Sequence, residues 1–145
     1  MLTKISIILC CFLGFLAGPN DAHNVVRVSI DGLRSDKGRV VCALYTSAEG
    51  FAKDDKKAIA HAESLISDRR GDCVFTDLQP GTYAIAVFHD ENSNGRLDRN
   101  FLGIPREGVG ATNNAKGHFG PPSFHDASFA YEGGSLDLKI AIGYL

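Results

Sequence analysis

An acidic stretch in the middle of the chain has the residue types and the spacing of a loop that binds a hard cation. Oxygen-bearing side chains recur along it, with one glycine between them: Asp90, Asn92, Asn94 and Asp98, and Gly95. Alternate residues of a tight loop point inward, and Gly95 can take the positive φ that turns the chain around an ion. The spacing therefore predicts a calcium-type loop over residues 90–98, to which Arg96 would add its backbone carbonyl.

This loop departs from an EF-hand at its last ligand position. The twelfth residue of an EF-hand loop is a bidentate glutamate, and here that position is Phe101, which cannot coordinate. An ion would need further oxygens, which Glu107 or the pair Asn113 and Asn114 could supply. With two definite carboxylates we expect a dissociation constant nearer ~10⁻⁴–10⁻³ M than that of a sensor. The alternative is a metal-free loop whose Asp and Asn side chains cap their own backbone.

Two other kinds of site use residues near the same loop. His89, His118 and His125 are imidazoles of the kind that zinc or copper prefers, but they lack helical i, i+4 spacing and an HExxH motif. His89, Asp90 and Glu107 could supply an acid and a base for a small hydrolase. The chain contains no G-x-S-x-G elbow, P-loop or dinucleotide fingerprint. A catalytic site would therefore require His89, Asp90 and Glu107 to lie close together in the folded chain.

Length and charge limit the classes of function. The chain has 145 residues and a formal net charge of -2, which gives no electrostatic case for binding nucleic acid or an anionic membrane. A hydrophobic content of 44% fits one globular domain of ordinary size.

The first residues have the pattern of a secretory signal peptide. Lys4 supplies a positive charge, residues 5–17 are almost wholly apolar, and Ala22 is a small residue at which cleavage could follow. The apolar run is shorter than the roughly 20 residues of a comfortable membrane span, although a retained anchor is the alternative. We expect a signal peptide over residues 1–22, a single domain over residues 23–145, and export to the periplasm or the medium.

Export changes the interpretation of the cysteines. Removal of the signal peptide would leave Cys42 and Cys73, and two cysteines can pair in an oxidising compartment. Both lie in predicted strands, so a disulfide between neighbouring strands and a pair of buried free thiols both remain open.

The rest of the chain has the periodicity of β-structure. Apolar residues alternate or run continuously in short stretches bounded by turn residues: 26–30, 40–45, 73–78, 82–88, 127–131 and 136–144. The first two stretches read as an opening hairpin, and residues 51–67 as a loop followed by an edge strand. About seven strands at this spacing predict an all-β, two-sheet antiparallel β-sandwich of the prealbumin or immunoglobulin type.

Residues 100–122 show no regular periodicity and are rich in glycine, asparagine and proline. Loops of this length in a compact domain are uncommon. We expect an ordered loop packed over one end of the sheet and anchored by its apolar residues: Phe101, Ile104, Val109 and Phe119.

Residues 75–114 read FTDLQPGTYAIAVFHDENSNGRLDRNFLGIPREGVGATNN, and FGPPSFHDASF follows soon after. The segments HDENxNGxLD and GIPxEG within this text resemble a bacterial family of small exported proteins, domain-of-unknown-function family 2141. The family's members are uncharacterised, so the resemblance implies no activity. More distantly, FxxLxPGxY is similar to the strand–turn–strand of transthyretin-like and carboxypeptidase-regulatory sandwiches, which implies a fold and not a function.

Together these features favour an exported β-sandwich that acts as a non-catalytic binding or accessory module with a calcium loop at 90–98. An envelope protein or a glycan is the class of partner we expect, with no nucleic acid and no membrane insertion after signal cleavage. One alternative is a small hydrolase-like enzyme using His89, Asp90 and Glu107. The other is a structural envelope protein without metal, which exposed aromatic side chains at Phe101 and Phe119 would favour.

Overall fold

Two packed β-sheets form the part of the chain that the structure, a computed structural model, describes: residues 24–145. The signal peptide expected at residues 1–22 lies outside these described residues. The strands are β1 (Val25–Asp31), β2 (Arg39–Tyr45), β3 (Ala60–Leu65), β4 (Gly71–Thr76), β5 (Gly81–Asp90), β6 (Val109–Ala111), β7 (Phe129–Tyr131) and β8 (Ser135–Ala141). Two 3-10 turns (Asp55–Lys57 and Thr112–Asn114) and one short helix, α1 (Phe124–Ala127), connect them. Among the described residues α1 is the longest helix, with four residues, so no helix there could span a membrane.

The predicted two-sheet β-sandwich is confirmed, with two differences in how the strands pair. One sheet has three strands in the order β4-β1-β8, and the other has the order β3-β2-β5-β6 with β7 beside the start of β5. The predicted opening hairpin is wrong, because β1 and β2 belong to different sheets and the seven residues between them cross from one sheet to the other. The sheets are also not wholly antiparallel, since β8 runs parallel to β1.

Apolar residues cover both faces of the larger sheet. Between the sheets, alternate residues of β1 and β5 meet in the main core, which includes Val26, Val28, Ile30, Ile85 and Val87. A second, smaller cluster covers the outer face beneath α1: Ala43, Tyr45, Phe51, Ala84, Ala111 and Ala127. Strands β2 and β5 are therefore buried on both sides, as their nearly continuous apolar sequences predicted. Strand β5 is a fixed central strand, and its last two residues, His89 and Asp90, lead into the acidic loop.

The segment after the acidic loop is not the single loop that the sequence predicted. It contains β6, which pairs with β5, and the 3-10 turn that follows β6. Phe101 and Phe119 are exposed and Ile104 is 43% exposed, so these three do not anchor the segment. Val109 alone of the four expected anchors lies in a strand, where it is half-buried.

A disulfide joins Cys42 of β2 to Cys73 of β4, and the two Cα atoms are 6.5 Å apart. Both cysteines are fully buried in the main core. The bridge crosses between the two sheets, whereas the sequence suggested neighbouring strands. It therefore links the small sheet to the middle of the large one.

We predict that removing this bridge lowers the free energy of unfolding. The cysteines are 31 residues apart, and closing a loop of that length in the unfolded chain stabilises the fold by about 3–4 kcal/mol. The double variant Cys42→Ala/Cys73→Ala should lose this amount in denaturant unfolding. Reductant should lower the wild-type midpoint to a similar extent and leave the double variant unchanged. A wild-type unfolding midpoint that is the same with and without reductant would contradict the disulfide.

Candidate functional site

The acidic loop is folded around the carboxylate of Asp90, which is fully buried at the end of β5. Its Oδ1 accepts a hydrogen bond from the backbone N–H of Asn94 at 3.1 Å, and its Oδ2 accepts one from Gly95 at 2.9 Å. Gly95 has a φ of 77°, the left-handed value expected from the sequence. The turn of the loop is therefore fixed by one side chain that binds the backbone.

The other predicted ligand side chains converge on Asp98. Asn92 donates from Nδ2 to Asp98 Oδ2 at 2.6 Å, and Asn94 donates from Nδ2 to Asp98 Oδ1 at 3.0 Å. These hydrogen bonds, with that of Asn94 first, lower the pKa of Asp98 below its ordinary value. The backbone N–H of Arg96 donates to Asn94 Oδ1 at 2.9 Å. Asn92, Asn94 and Asp98 thus meet at one place rather than spreading into solvent.

Glu107 lies at this loop, whereas Asn113 and Asn114, the other suggested source of oxygen ligands, do not. The nearly buried Glu107 accepts from the backbone N–H of Glu91 at 3.0 Å and from that of Asp98 at 3.1 Å, one bond to each carboxylate oxygen. It therefore ties the beginning of the loop to its end. Asn113 instead donates to the backbone carbonyls of residues 126 and 128, and Asn114 accepts from the backbone of residue 141. The pair lies past β6, because β6 runs back along β5 away from the loop.

Two residues that the sequence did not single out also position the loop. Arg39 of β2 donates from Nε to Asp90 Oδ2 at 3.3 Å and pairs through Nη1 with Glu63 of β3 at 2.9 Å. Gly38, with φ +68°, packs directly on the loop, since a Cβ there would lie 1.9 Å from the carbonyl oxygen of Asp90. The glycine in the turn before β2 was the available signal for this close approach.

His89 is fully buried, and both of its ring nitrogens have partners. Nε2 is 2.7 Å from the carbonyl oxygen of Lys37, so Nε2 carries the proton, because a carbonyl can only accept. Nδ1 is hydrogen-bonded to the hydroxyl of Tyr144 at 2.8 Å, and that hydroxyl oxygen accepts from the backbone N–H of Arg34 at 3.0 Å. His89 is thereby fixed as part of the core.

The three residues of the hydrolase hypothesis, His89, Asp90 and Glu107, are buried and hydrogen-bonded. His89 contacts Lys37 and Tyr144, and its Nδ1 is 3.5 Å from Glu91 Oε1, whereas Glu107 binds the backbone of the loop. The three histidines are not brought together either, since His118 and His125 are exposed and His89 is buried. Within residues 24–145 no three His, Cys, Asp or Glu side chains are grouped as a metal site, so a cation at the loop would also need amide and carbonyl oxygens.

A charged groove lies beside the loop, and an ion pair forms part of its wall. Arg34 donates to Glu91 through Nε at 2.5 Å and Nη2 at 2.9 Å, and its guanidinium lies 4.5 Å from the centre of the Tyr144 ring. The hydrogen bond with Arg34 lowers the pKa of Glu91, and burial raises the pKa of Tyr144. The groove is open, has a volume of about 460 Å³, and is lined by Arg34, Lys37, Glu91, Asn92, Asp98, Arg99, Arg106 and Glu107.

We predict that the pair of Arg34 and Glu91 contributes stability only above the acid range. The folded-state pKa of Glu91 lies below the ordinary value of 4.5. Its contribution is therefore fully present above that value and is lost as the pH falls through the lowered pKa. Glu91→Gln should be less stable than the wild type at about pH 7, and this difference should shrink at about pH 3. Urea midpoints measured across this range check the trend, and a difference that stays constant would contradict it.

We predict that Glu107→Gln destabilises the fold although it changes only one atom. Each carboxylate oxygen of Glu107 accepts a hydrogen bond from one backbone N–H. In the glutamine variant the amide NH2 would replace one of these oxygens, so one backbone N–H would lose its acceptor at a cost of about 1–3 kcal/mol. Glu132→Gln is the matched control, because Glu132 is exposed, and we expect a change within about 0.5 kcal/mol. Denaturant unfolding measures both. Equal effects of the two variants would show that the Glu107 contacts carry no energy.

Comparison with known proteins places the chain in a family. A family model described as "Uncharacterized protein conserved in bacteria (DUF2141)" matches residues 28–139. No curated protein and no solved structure matched the chain. The match runs from β1 to β8 and includes the acidic loop, Glu107 and the groove. The chain therefore belongs to the bacterial family DUF2141, as its HDENxNGxLD and GIPxEG segments predicted.

Proposed function

We propose that this protein is an exported, non-catalytic binding module whose loop at residues 90–98 binds calcium. The observation that carries the proposal is the convergence of Asn92 and Asn94 on the carboxylate of Asp98. Carboxylate, amide and carbonyl oxygens are the ligands that calcium prefers. Because Asp90 and Glu107 already hold the backbone of the loop, little chain entropy would be lost on binding.

The carboxylate of Asp90 would be the weaker of the two acidic ligands. A carboxylate has about four acceptor positions, and three are used by the donors of Asn94, Gly95 and Arg39. Asp98 accepts only from side-chain amides, which can rotate to present their oxygens to an ion instead. Asp98 is therefore the main anionic ligand in this proposal, with the carbonyl of Arg96 beside it. One strong carboxylate is consistent with weak binding, in the range of ~10⁻⁴–10⁻³ M.

The surroundings of the titratable side chains support a non-catalytic role. His89, Asp90 and Glu107 are buried, and each of their polar atoms has a partner. A general acid or base must reach a substrate proton within hydrogen-bond distance. None of the three can do so without breaking contacts that hold the fold together.

Export is supported by the apolar run at residues 5–17 and by the cysteine pair. The disulfide between Cys42 and Cys73 needs an oxidising compartment, which the bacterial cytoplasm does not provide.

We predict that calcium raises the melting temperature and that EDTA reverses the rise. At ten times the dissociation constant, a ligand that binds only the folded state adds about 1.4 kcal/mol, which corresponds to about 4–6 °C for a domain of this size. Asp98→Asn should abolish the rise. Asp137→Asn is the matched control, because Asp137 is an exposed carboxylate on β8, and it should keep the full effect. A midpoint that calcium leaves unchanged, or a rise that survives in Asp98→Asn, would contradict the proposal.

A docking module without metal is the second candidate, and one observation favours it. Phe101 is 95% exposed and Phe119 is fully exposed, although large aromatic side chains are usually at least partly covered. In that case calcium and EDTA would leave the midpoint unchanged while the exposed aromatic side chains bind a partner.

A further inference from the structure

The chain after the acidic loop forms a short hairpin, residues 98–106, which we term the arm. The carbonyl of Asp98 accepts from the N–H of Arg106 at 2.8 Å, and Arg99 and Pro105 form the next bridge. At the end of the arm, Asn100 Oδ1 accepts from the backbone of residues 102 and 104 at 2.9 and 3.0 Å. The backbone N–H of Asn100 donates to the carbonyl of residue 104 at 2.9 Å. The tip is therefore rigid, and its polar backbone groups are satisfied locally.

This rigid tip presents apolar side chains to the surroundings. Phe101 is 95% exposed, Leu102 is 68% exposed and Ile104 is 43% exposed. The hydrogen bonds of Asn100 fix the backbone on both sides of Phe101 and Leu102, so these side chains cannot turn inward without breaking the tip. A cluster of exposed apolar side chains is typical of an interaction site that a partner or a membrane covers.

Three arginines lie around the base of the tip, beside the carboxylates of Asp98 and Glu107. Arg96, Arg99 and Arg106 are exposed, and within the described chain no carboxylate lies at salt-bridge distance from any of them. Arg99 donates from Nη1 to the carbonyl of residue 103 at 3.1 Å, which keeps its guanidinium beside the tip. The two carboxylates accept from other donors: Asp98 from two asparagine amides, and the buried Glu107 from two backbone N–H groups. The tip is therefore apolar at its end and basic behind.

We propose that the arm docks onto a membrane surface that carries anionic phospholipids. Phe101 and Leu102 would enter the interface, and Arg99 and Arg106 would contact the phosphate groups. The arm has apolar side chains at its tip and arginines behind them. A membrane has the matching arrangement, because its acyl chains lie beneath charged headgroups. A specific protein partner would cover roughly 800 Å² of this chain, more than three tip side chains offer. A lipid surface does not require a contact area of that size.

Docking of the arm does not depend on calcium binding by the acidic loop. The arm is closed by backbone hydrogen bonds and by Glu107, and its arginines are in place without an ion. Docking should therefore occur in EDTA, so that a failure of calcium binding and a failure of docking can be told apart.

Cosedimentation with vesicles in EDTA tests the proposal. The purified protein should bind vesicles of equal parts phosphatidylglycerol and phosphatidylethanolamine, and should bind phosphatidylcholine vesicles more weakly. High salt should weaken binding to the anionic vesicles, because the screening length falls from about 10 Å at 0.1 M to about 3 Å at 1 M. Phe101→Ser/Leu102→Ser should lower the partition coefficient at least about tenfold. Arg99→Gln/Arg106→Gln should remove the preference for anionic lipid.

Phe119→Ser is the matched control. Phe119 is as exposed as Phe101 but lies outside the arm, on the loop after the 3-10 turn at Thr112–Asn114. It should bind vesicles as the wild type does, and equal melting temperatures should show that all variants are folded. The absence of vesicle binding, or an equal loss in Phe119→Ser, would overturn the proposal. Self-association in the absence of lipid that the double serine variant abolishes would also overturn it, and would assign the tip to a second copy of the chain.

Discussion

The end of the sheet that carries the candidate site depends on two buried carboxylates that bind backbone N–H groups. Asp90 holds the turn of the acidic loop, and Glu107 joins the beginning of that loop to its end. A buried carboxylate is costly unless it is paired and hydrogen-bonded. Arg39 supplies the opposite charge to Asp90 and links it to Glu63 on the edge strand β3. The same contacts therefore shape the loop, support the arm and fix the loop end of the large sheet.

Local patterns in the sequence predicted the parts that local chemistry determines. The apolar stretch at residues 82–88 predicted a strand, and Asp90 and Gly95 predicted the turn that follows it; the structure contains both. Edge strand β3 was also predicted. These features depend on side-chain alternation and on the conformational freedom of one glycine, and neighbouring residues are sufficient to encode them.

The features that the sequence did not predict depend on contacts between distant residues. The pairing of β1 with β8 and the position of β6 beside β5 are set by the packing of the whole sandwich. The pair Asn113 and Asn114 was one of the two sources of further oxygens suggested for the acidic loop, but β6 carries both residues away from it. Phe101 was expected to be an anchor because apolar side chains are usually buried, and its exposure depends on the rigid turn at Asn100. The net charge of the chain likewise did not predict the arginines at the base of the arm, because acidic residues elsewhere cancel their charge in the sum.

The position of β1 in the middle of the smaller sheet has a consequence for when the chain can fold. One neighbour of β1 is β4, and the other is β8, which the ribosome makes more than a hundred residues later. Strand β1 consequently lacks one of its two hydrogen-bonded neighbours until β8 has been made, and pairings so far apart in sequence form slowly. The smaller sheet therefore cannot be completed before β8 has left the ribosome. That delay would suit the export proposed above, because a chain whose sheets form late can still be passed through a secretion channel.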